Sequence, residues 1–339
     1  MTEKKHKPPR AIERPIVLVG AKGFWENRRL AGGKLPESFR QFFSNDLQAE
    51  KKLAHDVVAI VAADQPISAG IMDSYPNLRT IARTGTGYDN IDVSAAHARN
   101  IAVSRVAELN AEPVSEFAVG LMIALIRNFI GVHEKMCGGK WDRYKGMLIS
   151  EMTVGIAGLG AIGRSLARKL HSLGVKRLIG WNRTLRPQVG NTVLNTHLEL
   201  CILEKLMKES DIVVVALALV PETKHLIDKR MLSKMKSTAY LVNVSRGAVV
   251  DEDALAEHMS AGKIAGVALD VFSLEPPAGD LFSEPFMQKL VSCAKHGGNV
   301  ILSPHNAFRT KNSEEMISLR VAENVAKVIS GNTEDIELV

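Results

Sequence analysis

The stretch TVGIAGLGAIGRSLARKL, residues 153–170, decides the fold. TVGIA is short, apolar and β-branched, and reads as a buried parallel strand; RSLARKL reads as helix. Between them stand Gly158, Gly160 and Gly163, spaced G-x-G-x-x-G. The first glycine permits a tight turn, the second lets backbone approach a pyrophosphate, and the third lets helix and strand pack closely. The helix start then offers N–H groups and positive potential to phosphate oxygens. Strand, glycine turn and helix in this order point to a dinucleotide site.

Downstream, the next strand KRLIGW ends at Asn182, nineteen residues after Gly163. An acid at this place accepts hydrogen bonds from the adenosine ribose in NAD sites. An amide carries no charge to repel a 2′-phosphate, Arg183 can pair with one, and Thr184 adds a hydroxyl donor. The expectation is an NAD(P)H site with NADPH favoured. The alternative is that Asn182 holds the ribose of NAD and Arg183 is a surface charge.

Outward from this unit the pattern repeats. DIVVVALAL, STAYLVNV, IAGVALDVF and NVILSPH follow as strands separated by helices, which predicts a doubly wound parallel sheet with ligands at the strand C-terminal ends. Upstream, RPIVLVG, DVVAIVAA, LRTIARTG and IAVSRV predict a smaller open α/β unit. Between the two lies EPVSEFAVGLMIALIRNFIGVHEKM, read as one long apolar helix that is buried or sits at a subunit contact. A closing helix at about 312–330 can return to the first unit.

Length and composition set the bounds. At 339 residues the chain exceeds the usual single-domain range. Its 46% hydrophobic and 24% charged residues describe an ordinary globular protein. No apolar run approaches the roughly 18–20 residues of a membrane span, and the N-terminus lacks an apolar signal core. Cys137, Cys201 and Cys293 show neither metal-ligand nor disulfide spacing, so the expectation is a cytoplasmic protein without a metal site. Net charge is +6, and residues 1–14 carry five basic against two acidic residues. That tail reads as a disordered basic extension; nothing elsewhere resembles a nucleic-acid module.

Three segments after the glycine motif place ionisable groups at strand ends. Arg246 follows LVNVS, Asp270 and Glu275 follow VAL, and His305 follows VILSP. Arginine beside a hydride donor can bind a carboxylate and polarise a ketone. Histidine can donate the proton that a new alkoxide requires, and a nearby glutamate orients it and keeps it protonated.

Together with LRTIARTGTGYDNIDVSAA, GIAGLGAIGRSLA, VPETKHLI, LVNVSRGAVVDEDAL, GVALDVFSLEPP and NVILSPHNAF, these residues resemble the D-isomer-specific 2-hydroxyacid dehydrogenase family over residues 56–331. The resemblance implies a Rossmann cofactor domain, 110–309, inserted in a flavodoxin-like substrate domain formed by 15–109 plus 310–339. It implies Arg246, Glu275 and His305 as the catalytic triad, with Asp270 at the nicotinamide end and Val244 and Ser245 lining the cofactor pocket. Ala161 and Ile162 would give backbone contacts to the pyrophosphate, and N–H groups around Thr86 and Gly87 would hold the substrate carboxylate. The family is usually dimeric through the cofactor domain, which suits the apolar helix at 113–130.

The sequence also departs from that family. Ala218 stands where a proline commonly follows the strand, which puts contacts at Leu217 in doubt. AADQPIS, 62–68, lacks the arginine that phosphoglycerate-type members use for a substrate phosphate, and the sequence ends at Val339 without room for a regulatory domain. The expectation is therefore a small unphosphorylated 2-oxo acid. A 3-phosphoglycerate dehydrogenase, a nucleotide-sensing corepressor-like scaffold and a phosphite-type oxidase remain as alternatives.

Overall fold

The computed structural model describes residues 14–106, 108–183, 198–275 and 279–339. The basic tail up to residue 13 and Thr184 lie outside the described residues. The chain divides into two compact units, one formed by the residues before Asn110 together with Lys311–Val339, the other by Asn110–Thr310.

The first unit holds five parallel strands: β1 (Ile16–Val19), β2 (Arg40–Phe43), β3 (Val57–Ala62), β4 (Thr80–Arg83) and β5 (Ala102–Ser104). Their order is β2-β1-β3-β4-β5, a flavodoxin-like winding. β1, β3 and β4 are buried along their whole length, which is why they read as continuous apolar runs. β2 was not legible: it is an edge strand, RQFF, with only one side paired and no fully buried residue. The helix Lys311–Ser330 packs on this unit through Ile317, Val321, Ala322 and Val325.

The second unit holds β6 (Thr153–Ala157), β7 (Arg177–Trp181), β8 (Leu198–Leu200), β9 (Ile212–Val215), β10 (Tyr240–Asn243), β11 (Gly266–Leu269) and β12 (Val300–Leu302). All pairings are parallel and the order is β12-β11-β10-β9-β6-β7-β8. The winding direction therefore reverses between β6 and β9, and ligands of such sheets bind outside the strand C-termini at that reversal. β8 was also missed, being a three-residue edge strand with one buried residue.

The long apolar segment is two helices, not one. The helix Ala111–Ile126 ends at Arg127; Asn128 takes a left-handed backbone (φ 48°) and a second helix, Phe129–Cys137, starts from it. The first buries Val114, Ala118, Leu121, Met122, Leu125 and Ile126; the second buries nothing. With its preceding turn, Glu108–Ile126 is long and apolar enough to cross a membrane, contrary to the sequence reading. Its apolar face is instead taken up by the helix Ala161–Ser172 and the sheet, and its polar flank is tied by Glu112 to Ser165 (2.6 Å) and to Lys169.

Candidate active site

The glycine turn opens the site at the end of β6. Gly158 has φ 108°, a conformation that a side chain resists, and a Cβ there would lie 2.4 Å from the Ala216 carbonyl oxygen. A Cβ on Gly163 would lie 1.9 Å from the Gly158 carbonyl oxygen, so the helix can approach the turn only as glycine. Gly160 differs: it caps the helix Ala161–Ser172 in extended conformation, no side chain caps that helix, and a Cβ there would meet nothing within 4 Å. Gly160 thus stands in open space at the start of this helix, whose first N–H groups favour an anion. The cradle fits a dinucleotide pyrophosphate.

At the end of β7, Asn182 accepts the Leu159 N–H through Oδ1 at 3.4 Å, which joins it to the glycine turn. Arg183 is not simply open to a phosphate: its Nη1 lies 3.3 Å from Oε2 of Glu222, both side chains being more than half exposed. Where the proline was expected after β9, the Thr223 hydroxyl organises the loop, donating to the Ala218 carbonyl (2.6 Å) and accepting the Val220 N–H (2.9 Å). Leu217 is buried.

The ionisable groups converge because β10, β11 and β12 are adjacent and parallel. Arg246 follows β10 after Val244 and Ser245, both buried. Asn243 braces this turn: its Oδ1 accepts the Ser245 N–H and hydroxyl (3.1 and 2.9 Å), and its Nδ2 donates to the Arg246 carbonyl (3.0 Å). Arg246 Nη1 donates to the Ser245 carbonyl at 2.9 Å. A Cβ on Gly247 would lie 2.0 Å from the Phe272 carbonyl carbon, so the Arg246 turn runs directly against the segment that carries Glu275.

Asp270, at the end of β11, is 1% exposed. Its carboxylate accepts the Ser303 hydroxyl (2.5 Å) and the Asn306 and Ala307 N–H groups (2.8 and 2.9 Å), so both oxygens hold the loop after β12. Burial pushes its carboxyl above the usual range, against those three hydrogen bonds. In that loop His305 has φ 50°, an uncommon conformation secured by its N–H to the Asp270 carbonyl at 2.7 Å. Its Nδ1 lies 2.8 Å from Oε2 of Glu275, and its ring meets Phe308 edge-on at 5.7 Å. The other Glu275 oxygen accepts the Phe272 N–H at 2.9 Å.

In the first unit, Thr86 and Gly87 lie in the turn after β4. Arg83, buried at the end of that strand, donates through Nε to the Gly87 carbonyl (3.0 Å) and pairs with Asp64 at 2.7 Å. Arg105 Nη1 donates to the Thr86 carbonyl at 3.3 Å. Sequence reasoning missed Arg83, Asn243 and Glu222, since bracing residues carry no motif chemistry of their own.

An arginine, a histidine–carboxylate pair and an anion-binding helix N-terminus on one sheet edge can bind a carboxylate, move a proton and hold a dinucleotide. The sequence matches the D-isomer specific 2-hydroxyacid dehydrogenase, NAD binding domain, over residues 119–307. A glyoxylate reductase from Thermofilum pendens is 35% identical over 78% of this chain and 76% of its own. A hydroxypyruvate reductase from Thermotoga maritima is 32% identical over 80% of this chain and 84% of its own. The fold is that of a D-lactate dehydrogenase from Aquifex aeolicus, solved with NAD and lactic acid, at TM-score 0.84 over 96% of this chain and 98% of that one, with 23% identity.

Proposed function

The chain belongs to the D-isomer specific 2-hydroxyacid dehydrogenase family and is an NAD-dependent oxidoreductase of 2-oxo and 2-hydroxy acids; from that premise we propose that it reduces a small unphosphorylated 2-oxo acid, such as glyoxylate or hydroxypyruvate, to the D-2-hydroxy acid, with NADPH favoured. The contact of His305 Nδ1 with Glu275 carries this reading. In this reading Nε2 is the nitrogen assigned to the substrate oxygen, and the carboxylate stabilises the imidazolium that donates the proton.

Arg246 binds the substrate carboxylate and draws electron density from the ketone. Gly158, Gly160, Ala161, Ile162 and Gly163 would hold the pyrophosphate, Asn182 and Arg183 the adenosine end, and Val244 and Ser245 the nicotinamide half. When bound, the reduced nicotinamide supplies the hydride to the keto carbon. Asp270 keeps His305 in place beside it.

We place the protein in the cytoplasm as a homodimer. Phe129, Ile130, Met136, Trp141, Met147 and Leu148 are all exposed on the second unit, which supports a contact through residues 129–148 rather than through the buried helix before them. A panel of 2-oxo acids assayed with NADH and NADPH tests the function. Turnover of glyoxylate or hydroxypyruvate with a higher kcat/KM for NADPH is expected; equal efficiency with the two cofactors defeats the NADPH preference, and no turnover of any 2-oxo acid defeats the substrate reading.

A further inference from the structure

One buried acid has no part in the chemistry above. Glu252 opens the helix Glu252–Ser260 and is 7% exposed. Its Oε1 accepts the Ser273 N–H at 3.0 Å, and its Oε2 accepts the Ser273 hydroxyl. Ser273 lies between Phe272, whose N–H binds one Glu275 oxygen, and Glu275, whose other oxygen meets His305. The same Phe272–Ser273 peptide is the backbone against which Gly247, next to Arg246, is packed without room for a Cβ. Glu252 therefore grips a segment that carries Glu275 and meets both the Arg246 turn and His305.

We propose that Glu252 is a positioning residue for the proton donor: by holding both donors of Ser273 it fixes the Phe272–Glu275 segment from which Glu275 orients His305. The inference rests on His305 as proton donor. The geometry explains why a carboxyl is buried there at all. A buried acid without partners is costly, whereas one that meets an N–H and a hydroxyl at once locks a short segment in two directions. The charges facing it are Asp253 beside it and Glu275 on the gripped segment; burial pushes its carboxyl up to about 7.

The test uses Glu252→Ala, Glu252→Gln and Ser273→Ala in the full chain, with two readouts. The first is kcat for 2-oxo acid reduction against the Kd for NADH. The second is the titration midpoint of the His305 ring by NMR in the absence of substrate. For Glu252→Ala we expect kcat to fall about tenfold or more, Kd to stay within about twofold, and the midpoint to move to lower pH as the Glu275 contact loosens. Glu252→Gln, which keeps an acceptor for the N–H and offers a donor to the hydroxyl oxygen, restores both readouts. Ser273→Ala, which removes one of the two bonds, shifts both in the same direction by less.

A lowered melting temperature with an unmoved midpoint overturns the proposal, as does wild-type kcat in Glu252→Ala. If Glu252→Ala does not fold, an unmoved midpoint in Ser273→Ala overturns it. If the wild-type protein reduces no 2-oxo acid, the substrate reading fails while the His305 midpoint still decides the role of Glu252.

Discussion

Glu275 reaches His305 with one carboxylate oxygen, 2.8 Å from Nδ1, while its other oxygen is tied to the Phe272 N–H at 2.9 Å. The carboxylate is thus fixed before it orients the imidazole. His305→Ala is expected to lower kcat by a factor on the order of 10²–10⁴ with NADH binding retained. Glu275→Gln keeps the hydrogen bond but not the charge and is expected to fall between the two. Most of the wild-type turnover surviving in His305→Ala would remove this residue from the reaction.

The glycines separate stability from binding. Gly160→Ala adds a methyl group that meets no protein atom within 4 Å, at a φ of −69° that alanine adopts freely. Its melting temperature is expected to stay near wild type while NADH affinity drops about tenfold or more, because the methyl group fills the pyrophosphate approach. Gly158→Ala meets Ala216 and a φ of 108°, and is expected to lose stability itself. Calorimetry with and without NADH distinguishes the two.

The proposed preference for NADPH is tested at Arg183 and its exposed partner Glu222. A 2′-phosphate must compete with Glu222 for the guanidinium. Arg183→Ala is expected to weaken NADPH by about tenfold and NADH by less than about twofold. Glu222→Gln is expected to strengthen NADPH selectively. Equal effects on the two cofactors would make Arg183 a surface charge, as the alternative sequence reading has it.

Stability should fall between acidic and neutral pH for a stated reason. Burial raises the Glu252 carboxyl from 4.5 to about 7, so the folded chain keeps a proton there that the unfolded chain has lost. The resulting stabilisation is full below pH 4.5, declines as pH rises, and is gone above about 7. Asp270, also raised by burial, has the same sign. Melting temperatures across that window should decline less in Glu252→Gln than in wild type, and parallel curves would contradict the assignment.

Trp141 is 78% exposed among other exposed apolar residues of 129–148. Light scattering is expected to show a dimer, and Trp141→Asp to shift it towards monomer. A wild-type monomer at micromolar concentration would end the dimer reading.

The sequence by itself determined the central strands of the second unit and the turn that follows the first of them. A glycine turn that needs bare backbone, and strands buried on both faces, restrict the residue types strongly enough to be read locally. Strand-end position, residue chemistry and the family resemblance singled out Arg246, Glu275 and His305 as candidates, and the structure sets Glu275 against His305. Edge strands β2 and β8, half-exposed and paired on one side, carried too weak a pattern to read. The break at Asn128 was equally hidden, since apolar residues continue past the point where the buried face stops. What only the tertiary structure decided is which groups hold which. Asp270 is turned to the His305 loop, Arg183 to Glu222, and Glu252 to Ser273. Those pairings join residues distant in the chain, and hydrogen-bond direction depends on how strands are placed side by side, which residue identity alone does not encode.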